Sequence, residues 1–293
     1  MPSGAARFAC SAASRVSVRA MASPGDTILF EVWSIADLRS RSGLARIGRA
    51  LDADPELRPE RLDPRDPPRT PITSAADALA EWRPAARDAA RDWYFFANRK
   101  TEPRGRVTVQ IAAPMPERVA LHSVTCAYPT AWFEPAERVE KLVRFFGHLA
   151  EATSAFYGRA ARGAMYDQRN LLIQLAQGQL EARLFPDFER EVPDVYWLNY
   201  FGPAYVEHWG AHLDGIGARR DEAAGGVIIW ATERPSAVEK VASITDYPFK
   251  EPFYRALGRD TFMSERQRPG IPGQHVPTFE AHRRYVQIEK RAN

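Results

Sequence analysis

With 293 residues the chain can hold one large domain or two small ones, and folding at this size buries roughly three quarters of the unfolded surface. Its formal charge of +3 traces to Arg7, Arg15 and Arg19 within an acid-free opening stretch, and beyond residue 20 basic and acidic side chains balance. That balance argues against the broad basic footprint of a nucleic-acid binder and equally against a strongly acidic surface that imitates DNA.

Residues 1–20, MPSGAARFACSAASRVSVRA, are rich in Ser, Ala and Arg, as transit peptides are, but lack the apolar core of a secretory signal. Met21 offers a second start. Residues 1–22 are therefore expected to be a disordered or mis-called extension, with residues 23–293 forming a single domain. Cys10 and Cys126 are too few and too far apart for a disulfide framework or a C-x-x-C metal site, which points to a reducing, cytoplasmic setting. No apolar run is long enough to predict a membrane span. Lysine occurs only at positions 100, 141, 240, 250 and 290, and the arginines are spread along the whole chain. That usage reads as the codon bias of a GC-rich bacterial genome.

The alternating, β-branched TILFEVW at residues 27–33 predicts the first strand. A helix is expected through Leu38, Leu44, Ile47 and Leu51, whose spacing follows three- and four-residue steps. Residues 55–71 carry six prolines and read as an extended arm without regular structure, because each proline removes a donor and restricts the residue before it. Thr73 or Ser74 should open a helix over 73–92, kinked or split at Pro84. RVTVQIAA (106–113) and RVALHSVTC (118–126) predict a hairpin of neighbouring antiparallel strands. After Pro135 the stripe Val139, Leu142, Val143, Phe146, Leu149, Ala150, Thr153 and Phe156 predicts a long amphipathic helix, with Glu137 and Lys141 as an i,i+4 pair on its other side.

A further helix is expected over 168–185, then an acidic loop between Pro186 and Pro193, then an aromatic strand over 195–201. Gly202-Pro203 breaks that strand and sets Pro203 in the first turn of a short helix, where no N–H is needed. VIIWAT, after Gly225-Gly226, predicts another buried strand. Short helices broken at Pro248 and Pro252 should fill 235–265, followed by a Pro/Gly-rich loop over 267–278. RYVQIE (284–289) reads as a final strand. This mixture predicts an α+β fold, an antiparallel or mixed sheet packed with helices, with a degenerate two-half arrangement as an option.

Few constellations carry chemistry. Glu207, His208 and His212 place two histidines on one helix face, but the glutamate precedes both, whereas the H-E-x-x-H motif sets it between them. A third ligand would have to come from Asp214, His275 or His282, and no spacing selects one. The pair therefore reads as helix-face histidines flanking a packed Trp209, with no metal. GIGARR (215–220) follows a helix and lacks the third glycine of a dinucleotide loop, so its glycines read as helix cap and turn. There is neither a nucleophile elbow nor a phosphate loop. His122 and Cys126 share a strand face about 13 Å apart by strand rise, too far for direct proton transfer. No catalytic residue and no cofactor are expected.

Asp187, Glu189, Glu191 and Asp194 crowd one loop. Such a run is usually solvated; its sharper reading is an acidic edge that steers a basic partner. Trp197 and Tyr200 beside it are residue types enriched at interface hot spots, although strand alternation favours a core position for Trp197. Asp187, Glu189, Glu191, Trp197 and Tyr200 are thus the candidate partner-binding residues.

Residues 192–232, and within them Trp197, Asn199, Phe201, Gly202, Pro203, Gly210 and the apolar strand after Gly226, resemble a block of the immunity protein 52 family and of related families of bacterial polymorphic-toxin immunity proteins. The chain departs from that pattern in its proline-rich arm and its long C-terminal tail. The resemblance implies a cytoplasmic, non-enzymatic antidote, in a type VI secretion setting, that binds and blocks a cognate protein toxin, often a nuclease-like one. It implies no direct nucleic-acid or membrane partner. A hydrolase-like enzyme using the histidine pair, or a phage-derived structural protein, stays open as an alternative.

Overall fold

The computed structural model describes residues 27–82, 88, 90–114, 119–165, 187–235, 247–263 and 271–292. The helix expected over 168–185 and the opening stretch 1–20 lie outside the described residues.

Among the described residues, nine strands form one antiparallel sheet: β1 (Thr27–Ser34), β2 (Arg61–Asp63), β3 (Trp93–Asn98), β4 (Arg106–Ile111), β5 (His122–Pro129), β6 (Tyr157–Arg162), β7 (Leu198–Phe201), β8 (Arg219–Ala223) and β9 (Gly226–Trp230). Their spatial order is β2-β3-β4-β5-β1-β6-β7-β9-β8. The first strand in sequence is therefore central, pairing β5 on one side and β6 on the other. Its period-two pattern explains the place: Ile28, Phe30 and Val32 enter one buried cluster while Trp33 enters another on the opposite face.

Three helices cover the first face: α1 (Arg41–Asp52), α2 (Ala75–Glu81) and α3 (Ala136–Thr153). Ser40 and Ser74 each cap a helix, accepting the N–H of Gly43 and of Asp77 at 3.0 and 3.1 Å. α2 stops at Trp82, before the Arg83-Pro84 pair that disfavours helical backbone. α3 buries the predicted stripe from Val139 to Thr153 together with Phe145, and ends where Ser154 turns left-handed at φ 50°, so Phe156, expected on the stripe, lies past the helix in the second core. That turn aims the chain straight into β6, with the N–H of Phe156 on the carbonyl of Trp33 at 2.9 Å. The expected Glu137–Lys141 pair gives way to longer-range ties: Lys141 meets Asp54 at 3.7 Å and also Glu56, fastening α3 to the start of the proline-rich arm.

That arm is more ordered than its prolines suggest. Leu57 and Leu62 are buried, β2 pairs β3, and the N–H of Leu62 bonds Thr70 while that of Ile72 bonds Glu60. The arm thus folds back over β2 and covers that edge of the sheet. β8, at the other edge, carries Arg219, Arg220, Asp221 and Glu222, the kind of charged edge that discourages unwanted pairing.

Where α1 crosses α2, a Cβ built on Gly48 would sit 2.3 Å from the Cα of Ala76. Backbone cannot yield as a flexible side-chain tip can, so Gly48→Ala should destabilise by about 1–3 kcal/mol in urea unfolding. An unchanged midpoint would mean that the two helices are free to move apart.

A second, aromatic core lies on the opposite face over β6, β7 and β9. It gathers Trp33, Phe156, Tyr157, Phe188, Phe201, Tyr205 and Trp209 with α4 (Pro203–Trp209), α5 (Glu251–Leu257) and the segment 187–195. α6 (Phe279–Ala292) packs against α4. The tail read from sequence as a strand is thus a helix, because Phe279, His282 and Val286 recur at three- and four-residue steps and outvote the short alternation of RYVQIE. Pro248 and Pro252 each open a helical turn instead of breaking one. Helices segregated on the faces of an antiparallel sheet make this an α+β fold.

Candidate functional site

The residues of the 192–232 block build one end of the sheet. Asn199 is fully buried, with Oδ1 accepting the N–H of Tyr196 at 2.9 Å and Nδ2 donating to the same residue's carbonyl at 2.8 Å, so it shapes the entry to β7. A Cβ built on Gly202 would sit 2.9 Å from the carbonyl oxygens of Ala155 and Phe156, so a glycine is needed where the chain passes them, and Pro203 starts α4 as expected. Phe201, Tyr205 and Trp209 then close the second core, with ring centroids 4.7–5.6 Å apart. Every one of these positions is architectural.

The five candidate partner-binding residues do not form a common surface. Trp197 and Tyr200 are 2% and 0% exposed, both turned toward the first core, where Trp197 sets its ring edge-to-face on Trp230 at 5.9 Å. Glu191 is 3% exposed. Glu191, Trp197 and Tyr200 are thus not presented at the surface of the fold. Asp187 stays half-exposed in a local pair with Arg190 at 3.1 Å, and Glu189 accepts the N–H of Phe279 at 2.9 Å, capping the start of α6. The acidic loop is thus stitched inward: Val192 bridges Phe262, and Asp194 meets the ammonium of Lys250 at 3.1 Å with both side chains fully buried.

A second polar cluster sits where β1 and β6 pair. Arg159 donates through Nε and Nη2 to Glu31 at 3.1 and 2.9 Å and through Nη1 to the Tyr196 hydroxyl at 2.7 Å, while Thr125 donates to the other oxygen of Glu31 at 3.2 Å. The two-pronged contact fixes the guanidinium plane. Sequence reading passed over this cluster, since a lone Glu and a lone Arg far apart in the chain carry no local signal.

A small cleft lies between α4, α6 and the end of α3, with a volume of about 30 Å³, room for a few waters at most. Ser154, Phe156, Pro203, Ala224, His282 and Tyr285 contribute to its walls. His282 is buried between the rings of Phe156 and Tyr205, at 4.9 and 5.0 Å, and burial, aided by His208, holds its pKa down at about 3. The Tyr205 hydroxyl is pushed far up by the same desolvation. A neutral imidazole of such low basicity beside a phenol that keeps its proton is poorly suited to general base work at neutral pH.

The other candidates resolve plainly. Cys126 is fully buried and its thiol is pushed well up by desolvation, away from the reactive thiolate. His122 is held down to about 4 by burial, and its Nδ1 accepts the N–H of Ala112 at 3.0 Å, a structural task. His208 and His212 are exposed on α4 and the turn after it, and among the described residues no group of three His, Cys, Asp or Glu side chains is placed to hold a metal ion. Dialysis against a chelator is expected to leave the melting temperature unchanged; a drop reversed by zinc would reinstate the histidine pair as ligands. Among the described residues no helix is long and apolar enough to cross a membrane.

No protein-family model matches the chain, the immunity protein 52 family included, and no curated protein matches it. A solved structure does: the Pseudomonas aeruginosa T6SS protein PA0821, at a TM-score of 0.52 and 12% sequence identity, over 89% of this chain and 82% of that one. At that identity the likeness is one of fold, and it extends well beyond the 192–232 block to take in most of the sheet and both cores.

Proposed function

We propose that the protein is a non-enzymatic immunity protein of a type VI secretion system, acting in the cytoplasm by binding a cognate protein toxin and covering its working surface. The observation that carries this reading is the fold shared with a T6SS protein over most of both chains. Inhibition by occlusion asks for a stable scaffold and an interface near the standard size of about 1,600 Å², with a few aromatic or arginine anchors. It asks for no reacting group.

Asp187 is the accessible remainder of the acidic loop, free of the capping task that occupies Glu189. Within this reading it contributes to steering a basic face of the toxin. The test is growth of cells carrying a toxin gene from the same neighbourhood, with and without residues 21–293 of this chain. Protection accompanied by co-purification is expected. Unprotected growth, coupled with turnover of a small substrate by the purified protein, would replace the immunity reading with an enzymatic one.

A further inference from the structure

We infer that α6 is a proton-released latch: His282 keeps this C-terminal helix seated on α4 while its imidazole is neutral, and protonation frees the helix from the aromatic core beneath it. The geometry is that of a wedge. His282 is 3% exposed, packed against Phe156 and Tyr205 with Phe279 at 6.5 Å, and its Nε2 finds no hydrogen-bond partner among the described residues. A proton on Nε2 would sit among aromatic rings with no hydrogen-bond partner among the described residues, and an unpaired buried charge is strongly disfavoured.

The charged and titratable groups around the ring do not offer relief. On α4, Glu207 is turned to Tyr285, at 3.0 Å, and to Arg284, at 3.5 Å, while His208 adds repulsion to any charge on His282. On α6 itself Arg283 pairs with Glu280 at 3.4 Å, and both arginines carry the same sign as an imidazolium. From the segment before α6, His275 is paired with Asp260 at 3.0 Å, and Glu189 is taken up by the N–H of Phe279. The Tyr205 hydroxyl is buried and, like Nε2, without a partner among the described residues. The Arg284–Glu207 ion pair joins side chains that are both more than half exposed, so it adds little. Among the described residues of α6, Phe279 and His282 fill the aromatic core and Val286 packs against the first core.

The sign follows from linkage. Above the ordinary histidine range, near 6.5, the imidazole is neutral whether α6 is seated or free, and pH has no effect. Between that value and about 3 the free helix takes up a proton that the seated one refuses, so seating weakens as pH falls. At pH 5 the helix should open roughly 30-fold more often than at pH 7.5.

Hydrogen exchange followed by mass spectrometry on the full chain at the two pH values, corrected for intrinsic rates, tests this. Amides of α6 should lose protection at pH 5 by that factor, and His282→Phe, which keeps an aromatic wedge without a titrating group, should abolish that loss in α6. His282→Gln serves as a second neutral replacement if the phenylalanine does not pack. Equal α6 protection at both pH values, or an α6 pH effect that survives in the neutral variants, would overturn the latch.

Discussion

Replacing Trp197 with alanine is expected to lower the unfolding free energy by about 3–5 kcal/mol, read from urea denaturation. The indole is among the largest fully buried side chains, lies in the first core, and meets Trp230 edge-to-face, so truncation removes both its apolar burial and a ring pair. Its Nε1 is buried without a hydrogen-bond partner among the described residues, a cost that the indole already bears. Trp197→Phe gives up that orphan donor along with part of the ring, and should therefore cost clearly less than the alanine change. If alanine proved neutral while partner capture was lost, Trp197 would belong to an interface and the burial described above would be wrong.

An effect of similar size, about 3–5 kcal/mol, is expected for Lys250→Met, because it leaves the Asp194 carboxylate buried without its ammonium. Both side chains are fully buried, so water does not screen the loss, and Asp194 also accepts the N–H of Val195 at 2.6 Å just before the turn into β7. The double variant Lys250→Met, Asp194→Asn removes the stranded charge as well, and should recover a good part of the lost stability. A double-mutant cycle in urea measures this directly. Additive losses in the double variant would show that the two groups do not sense each other.

Much of the fold was legible in local pattern. β1, α1, α3, the turn at Gly202-Pro203 and β9 follow from alternation, three- and four-residue steps, and proline at the first helical turn. β3 was hidden because WYFFAN follows directly on a helical pattern that was extended to residue 92. β6 was hidden for another reason: YGRAAR has no β-branched residue, and its strand conformation comes from pairing with β1 and β7, with Glu31 offsetting the charge of Arg159. A Cβ on Gly158 would meet Phe146 at 2.9 Å, so the glycine that weakens the local strand signal is what lets α3 lie close to the sheet.

The candidate site was less legible. Acidic residues crowded in a loop are normally solvated, and nothing in DFEREVPD (187–194) marks Glu191 and Asp194 as buried while Asp187 stays outside. Lys250, which makes burial of Asp194 tolerable, lies 56 residues away. His282 was considered only as a third metal ligand, because its role depends on a helix that the alternation of RYVQIE disguised.

The central claim is that this chain neutralises a toxin by binding it, and the direct measurement is titration of the purified toxin's activity with purified residues 21–293. A linear fall to complete inhibition at a fixed stoichiometric ratio is expected, with toxin and inhibitor recovered unmodified from one complex. Full toxin activity in the presence of excess protein, with no complex on size-exclusion chromatography, would contradict it.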